Sequence, residues 1–103
     1  MAKLVVIYRT PKDKAAFDAH YAATHVPLAQ AIPGVKRFDV STGPVTGPKG
    51  ETDVHLVATL YFGSLADLKA GLASPEGKAA AADLANFADG GAELLMFESR
   101  SIG

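Results

Sequence analysis

The chain has no cysteine. That absence removes disulfides, thiolate nucleophiles, Cys-ligated zinc and iron–sulfur clusters from consideration. An excess of one charge is also missing: ten Lys and Arg stand against eleven Asp and Glu, for a formal net charge of −1. The basic residues are dispersed, so no stripe follows a nucleic-acid backbone and no polybasic anchor meets a membrane. Long hydrophobic runs are absent as well. The opening Leu4-Val5-Val6-Ile7 reaches Arg9 too soon for a signal-peptide core, and no later run approaches the ~20 residues of a membrane span. The expectation is a cytoplasmic protein with neither nucleic acid nor membrane as partner.

Several catalytic signatures are missing too. No glycine loop has the spacing or the preceding parallel strand that cradles phosphates. His20, His25 and His55 lack the paired spacing of a zinc site, and residues five apart straddle a helix poorly. None of Ser41, Ser64, Ser74, Ser99 or Ser101 sits in a nucleophile elbow.

What is present alternates between strand and helix signals. Leu4 to Tyr8 is a β-branched run; Thr10-Pro11-Lys12-Asp13 follows with a cap candidate, a first-turn proline and an acid suited to a helix start. From Asp13 to Ile32 the spacing of Phe17, Tyr21, Leu28 and Ile32 predicts an amphipathic helix, with His25 at the edge of its apolar face. Pro27 lacks a donor and crowds the carbonyl of Ala23. It predicts a kink or break over Ala23 to Val26, with Val26 pushed toward extended geometry and a cleft beside His25. Ile32-Pro33-Gly34 ends the helix, and Val35 to Ser41 reads as a second strand. The glycines and prolines of Gly43 to Gly50 predict a surface hairpin connection without ladder hydrogen bonds. Val54 to Phe62 is the longest strand candidate. Ser64 and Asp67 approximate a capping box for a short helix to about Leu72, and Ser74-Pro75-Glu76 starts an alanine-rich helix ending near Phe87. Gly90-Gly91 stops it, and Ala92 to Arg100 is the last strand.

The order β-α-β-β-α-β predicts a single α+β domain over residues 1–103, ferredoxin-like, with a four-stranded antiparallel sheet. Along the first strand Leu4, Val6 and Tyr8 oppose Val5 and Ile7. Along the third, Val54, Leu56, Ala58, Leu60 and Phe62 oppose His55, Val57, Thr59 and Tyr61. In the last, Leu94 and Met96 oppose Leu95 and Phe97. Both faces are largely apolar, yet two helices cover one face only. A domain of this size buries only about 60–70% of its unfolded surface. The expected remedy is a homodimer packed sheet to sheet, with an apolar cavity under the interrupted helix.

Tyr8-Arg9-Thr10-Pro11, then Phe17, Tyr21, His25-Val26-Pro27-Leu28 and Ile32-Pro33-Gly34, followed by Ser74-Pro75-Glu76-Gly77 and Asp83-Leu84-Ala85-Asn86-Phe87-Ala88, resemble the EthD family across essentially the whole chain. The resemblance implies a dimeric α+β barrel and a link to breakdown or tailoring of hydrophobic organic molecules. It does not imply one reaction. Similar small proteins act as decarboxylases, dehydratases or cyclases on aromatic polyketides without a cofactor, and the wider superfamily includes cofactor-independent monooxygenases and haem proteins.

Each candidate residue has two readings. His25 either caps backbone groups freed at the helix interruption or serves as general acid/base; the family motif favours the second. His20, rotated off the apolar stripe, is expected on a solvated rim. His55, on the side of Val57 and Tyr61, either lines the cavity or is a hydrogen-bonded interface histidine. Tyr8 and Tyr61 are amphipathic rings suited to a ligand pocket or to an ordinary core. Tyr21, one turn before His25, either orients the imidazole or substrate or packs on the sheet. Two functions follow. One is a cofactor-independent enzyme with His25 as general acid/base on a hydrophobic small molecule, Tyr8, Tyr21, His55 and Tyr61 binding it. The other is a noncatalytic accessory protein that carries such a molecule for a partner enzyme. A haem protein with His25 or His55 as axial ligand ranks third.

Overall fold

A computed structural model describes residues 1–103. Strand β1 (Ala2–Arg9) buries every second residue, as a strand with one face on a core must. Thr10 then ties to the carbonyl of Asp53 through both its amide and its hydroxyl, at 2.8 and 2.9 Å. The cap of helix α1 (Lys14–His20) is therefore not Thr10 but Asp13, whose carboxylate accepts from Ala16 N at 3.0 Å.

The expected break at Pro27 is not a break. Residues Tyr21–His25 form a π-helical turn in which Val26 N–H donates to Tyr21 O, and helix α2 (Val26–Gln30) continues directly. Val26 is helical, with φ −56° and ψ −49°. The wider turn admits Pro27 into the first turn of α2, where a missing N–H costs little. It also re-phases the helix. Phe17, Tyr21, His25 and Ala29 are all buried, although steps of four on a regular helix advance by about 40° each and would swing the last roughly 120° from the first.

Strand β2 (Arg37–Val40) follows, then two-residue strands β3 (Thr46–Gly47) and β4 (Gly50–Glu51), which pair Thr46 with Glu51 and Gly47 with Gly50. The glycine-rich connection thus holds a short ladder where none was expected, since Gly50 supplies the positive φ of 110° that the turn requires. Strand β5 (Val54–Phe62) leads to α3 (Leu65–Ala73), capped by Ser64, and α4 (Pro75–Phe87), capped by Ser74; β6 (Ala92–Glu98) closes the chain. All pairings in the four-stranded sheet are antiparallel and its order is β2-β5-β1-β6, the ferredoxin-like arrangement.

Leu4, Val6, Tyr8, Ala58, Leu60 and Phe62 face the helices and are buried. On the opposite face Val5, Ile7, Val57 and Tyr61 are half-exposed. Strand β6 is bare on both faces: Leu94, Leu95, Met96 and Phe97 are 40–48% exposed. The register slips between Tyr8 and Arg9, which pair with Leu56 and Val54 and leave His55 as an extra residue on β5. That bulge turns His55 away from Val57 and Tyr61 and toward α1.

Candidate active site

Four elements meet where β1 ends. Strand β1 supplies Tyr8, the π turn Tyr21 and His25, α1 His20, and α4 Asp83 and Asn86. Asp83 occupies the apolar stripe of α4 between Ala80 and Phe87 and is 5% exposed. A carboxylate there must be fully bonded, and it is. It accepts from His25 Nδ1 at 2.9 Å, from His20 Nε2 at 2.8 and 3.0 Å, and from Asn86 Nδ2 at 3.0 Å. Burial works to raise its pKa, but the bonds from Asn86, His20 and His25 outweigh it and hold the carboxyl below its ordinary range.

An ionised carboxylate only accepts, so His25 Nδ1 carries the hydrogen. Burial lowers the pKa of His25, outweighing the bond and charge of Asp83, which raise it; His20 adds to the lowering. The ring is therefore neutral at pH 7, and Nε2 holds a lone pair. The Tyr8 hydroxyl, 3.4 Å away, donates to that lone pair through a long, weak bond. Burial above all, with nearby Tyr21 and Asp83, keeps Tyr8 protonated. Tyr21 is likewise held protonated by burial, and no protein group bonds its buried hydroxyl. Aromatic rings fix the imidazole: its centroid lies 4.8 Å from Phe87, 5.4 Å from Tyr21 and 6.4 Å from Tyr8.

These polar groups sit at a cavity of about 50 Å³ between sheet and helices. Tyr8, Tyr21 and His25 line it, and apart from His25 and Gly77 all sixteen lining residues are hydrophobic. A neutral imidazole braced by a carboxylate, its Nε2 lone pair held only by the long Tyr8 contact at the edge of an apolar space, is equipped to take a proton from a weak carbon or oxygen acid.

Of the residues expected from the sequence, Tyr8, Tyr21 and His25 come together; His55 and Tyr61 lie elsewhere. His55 pairs with Asp18 at 2.8 Å, packs on Phe17 at 4.7 Å and borders a separate polar basin. Tyr61 lies on the opposite sheet face between Lys3 and Arg37, whose charged groups are 5.2 and 5.3 Å from its ring. His20 is not a solvated rim residue: it is half-buried, stacks on Phe87 at 5.1 Å and shares Asp83 with His25. Asp83 is a site residue beyond those expected from the sequence. Its signal was a charge on the apolar stripe Ala80, Asp83, Phe87 of a helix.

A haem does not fit these residues. Both ring nitrogens of His25 are engaged above a cavity too small for a tetrapyrrole, and His55 Nε2 is committed to Asp18. No group of three or more His, Asp or Glu side chains is placed to hold a metal ion, and no helix is long and apolar enough to cross a membrane.

The family model of the EthD domain matches residues 9–91, which include every residue of this cluster but Tyr8. The chain belongs to the EthD family. It is 44% identical over 103 residues, covering 99% of this chain and 98% of the relative, to an uncharacterized 11.0 kDa protein in the thcB-thcC intergenic region of Rhodococcus erythropolis. An EthD-family crystal structure from Bacillus halodurans is 36% identical with a TM-score of 0.88, over 97% of this chain and 99% of that one. The fold alone is shared with SnoaB of Streptomyces nogalater, a cofactor-independent oxygenase, at 20% identity and a TM-score of 0.68, over 98% and 94% of the two chains.

Proposed function

We propose that this EthD-family protein is a cofactor-independent enzyme that moves a proton on a hydrophobic organic molecule, in degradation or polyketide-type tailoring, with His25 as general acid/base. The observation that carries the reading is the pairing of His25 Nδ1 with buried Asp83, 2.9 Å apart, while Nε2 meets an apolar cavity. Asp83 orients the ring and stabilises the imidazolium that forms when Nε2 takes a proton, as a third group does for a catalytic histidine generally. Positioned acid/base help of this kind contributes about 10²–10⁴-fold in rate. The cofactor-independent chemistry of the similarly folded SnoaB supports it. A noncatalytic carrier would need the apolar cavity, but a buried carboxylate bracing an imidazole costs desolvation that carriage does not require. Self-association completes the proposal. Exposed Leu95 and Phe97, beside half-exposed Val5, Ile7 and Val57, form an apolar surface that a second copy of the chain would cover.

The test is proton exchange. A panel of enolisable ketones is incubated with the protein in D₂O, and loss of the α-hydrogen signals is followed by proton NMR. Exchange above the buffer rate by the parent, abolished in a folded His25→Asn variant, is the expected outcome. Equal exchange by both variants would remove His25 from the chemistry, and a melting temperature that collapses in His25→Ala but recovers in His25→Asn, with no exchange by the parent, would make His25 a structural cap.

A further inference from the structure

The polar end of the cavity holds one group whose needs the fold does not meet. Tyr8 O–H and His25 Nε2 satisfy each other, at 3.4 Å. The Tyr21 hydroxyl has no bonding partner in the protein, on a residue only 6% exposed that lines the same cavity. A buried hydroxyl without a partner works against folding. Phenylalanine would keep the ring's stacking on Phe17, 5.8 Å between centroids at 6°, without that penalty. The Tyr21 and Tyr8 rings meet edge to face at 5.6 Å, and Tyr21 helps hold Tyr8 protonated, so the two hydroxyls and the imidazole belong to one polar corner.

We infer that the cavity takes a small ketone-like carbonyl compound, whose oxygen accepts a hydrogen bond from Tyr21 while His25 Nε2 removes a hydrogen from the adjacent carbon. The inference rests on the proton-transfer reading above and adds the substrate class. In the step the C–H bond breaks and its hydrogen goes to Nε2 as a proton. The electron pair forms the C=C bond of an enolate, and the negative charge comes to rest on the oxygen that Tyr21 holds. No oxidant or reductant takes part. The size of the space narrows the class further: an apolar cavity of about 150 Å³ accepts benzene, whereas this one measures about 50 Å³. Only a carbonyl and its nearest carbons fit inside, and any longer chain extends past Leu94, the lining residue on the exposed strand β6.

The experiment compares 2-butanone with 2-methyl-1-butene, in which a CH₂ group replaces the oxygen, binding to the parent and to Tyr21→Phe by amide chemical-shift titration. Loss of one hydrogen bond should weaken 2-butanone by about 5- to 10-fold in Tyr21→Phe and leave the alkene within about twofold. The ligand-free variant should melt at or above the parent's temperature. An equal loss for both probes, unchanged ketone affinity in Tyr21→Phe, no ketone binding by the parent, or a lower melting temperature of the free variant would each overturn the inference. Deuterium exchange at the 2-butanone CH₂ separates the two claims. Tyr21-dependent ketone binding without exchange defeats the proton-transfer reading and leaves the carbonyl anchor standing; exchange with ketone affinity indifferent to Tyr21→Phe defeats the anchor alone.

Discussion

Asp83→Asn keeps the side chain's shape and removes its charge and half of its accepting capacity. Asp83 takes hydrogens from His25 Nδ1, His20 Nε2 and Asn86 Nδ2 at 2.8 to 3.0 Å. An amide offers one oxygen and a donating NH₂, so the three donors cannot all keep an acceptor: an oxygen at the Oδ2 position still takes both imidazoles, at 2.9 and 3.0 Å, but the NH₂ then faces the Asn86 N–H in place of Oδ1. One donor loses its partner and the imidazoles lose a charged acceptor, which together costs about 1–3 kcal/mol. With an unfolding entropy of about 2.1 cal/mol/K per residue, that lowers the melting temperature of a domain this size by about 5–14 °C. The pH dependence follows from the directions of the shifts. His25 has a lowered folded pKa, so below about pH 6.5 the unfolded state binds more protons and the parent loses stability as pH falls. Asp83 opposes that lowering, so Asp83→Asn should lose stability more steeply below about pH 6.5. Asp83's own depressed pKa gives a contribution present above about pH 3.9 and lost as pH falls through its folded value. The gap between parent and variant is therefore open at pH 7.5, widens below about pH 6.5 and narrows only in the carboxylate range. Thermal melts by circular dichroism from pH 4 to 8 read the opening and the widening of that gap directly. A change under about 2 °C at pH 7.5, or parallel pH profiles, would refute the claim that Asp83 braces His25.

Gly77→Ala should be severely disruptive in urea titration, by about 1–3 kcal/mol, because the added methyl would meet the Gly71 carbonyl and the Leu72 backbone, which cannot yield as a side-chain tip would. A loss of less than about 0.5 kcal/mol would show that α3 and α4 can part. Phe97→Glu should convert a micromolar dimer to a monomer in sedimentation velocity while keeping the far-ultraviolet spectrum, since it places a charge on the exposed apolar face of β6. A monomeric parent would defeat the proposed association.

The sheet was legible because period-2 alternation in β1 and β5 is determined by burial, and the caps at Ser64 and Ser74 lie in the sequence next to what they cap. The handling of Pro27 was not. Proline predicts a lost donor but not how the chain absorbs it, and here one wider turn did so and carried His25 inward with Tyr21 and Ala29. The bulge that redirects His55 is a matter of pairing register, which no local pattern encodes. The centre of the site escaped for a related reason. His20 and Asp83 are 63 residues apart and meet only because α1 packs across α4, so neither helix pattern by itself shows the partner of the other.

The central claim is that His25 is a neutral imidazole with its hydrogen on Nδ1 toward Asp83 and an unprotonated Nε2 whose lone pair meets only the long Tyr8 contact. Long-range ¹H–¹⁵N NMR of the histidine rings tests it most directly, through the distinct shifts of protonated and bare ring nitrogens. The account predicts the Nδ1–H form of His25 at pH 7.5, a midpoint below the ordinary histidine value of about 6.5, and an upward move of that midpoint in His20→Gln, where a competing charge is gone. An Nε2–H form, or an imidazolium at pH 7.5, would contradict it.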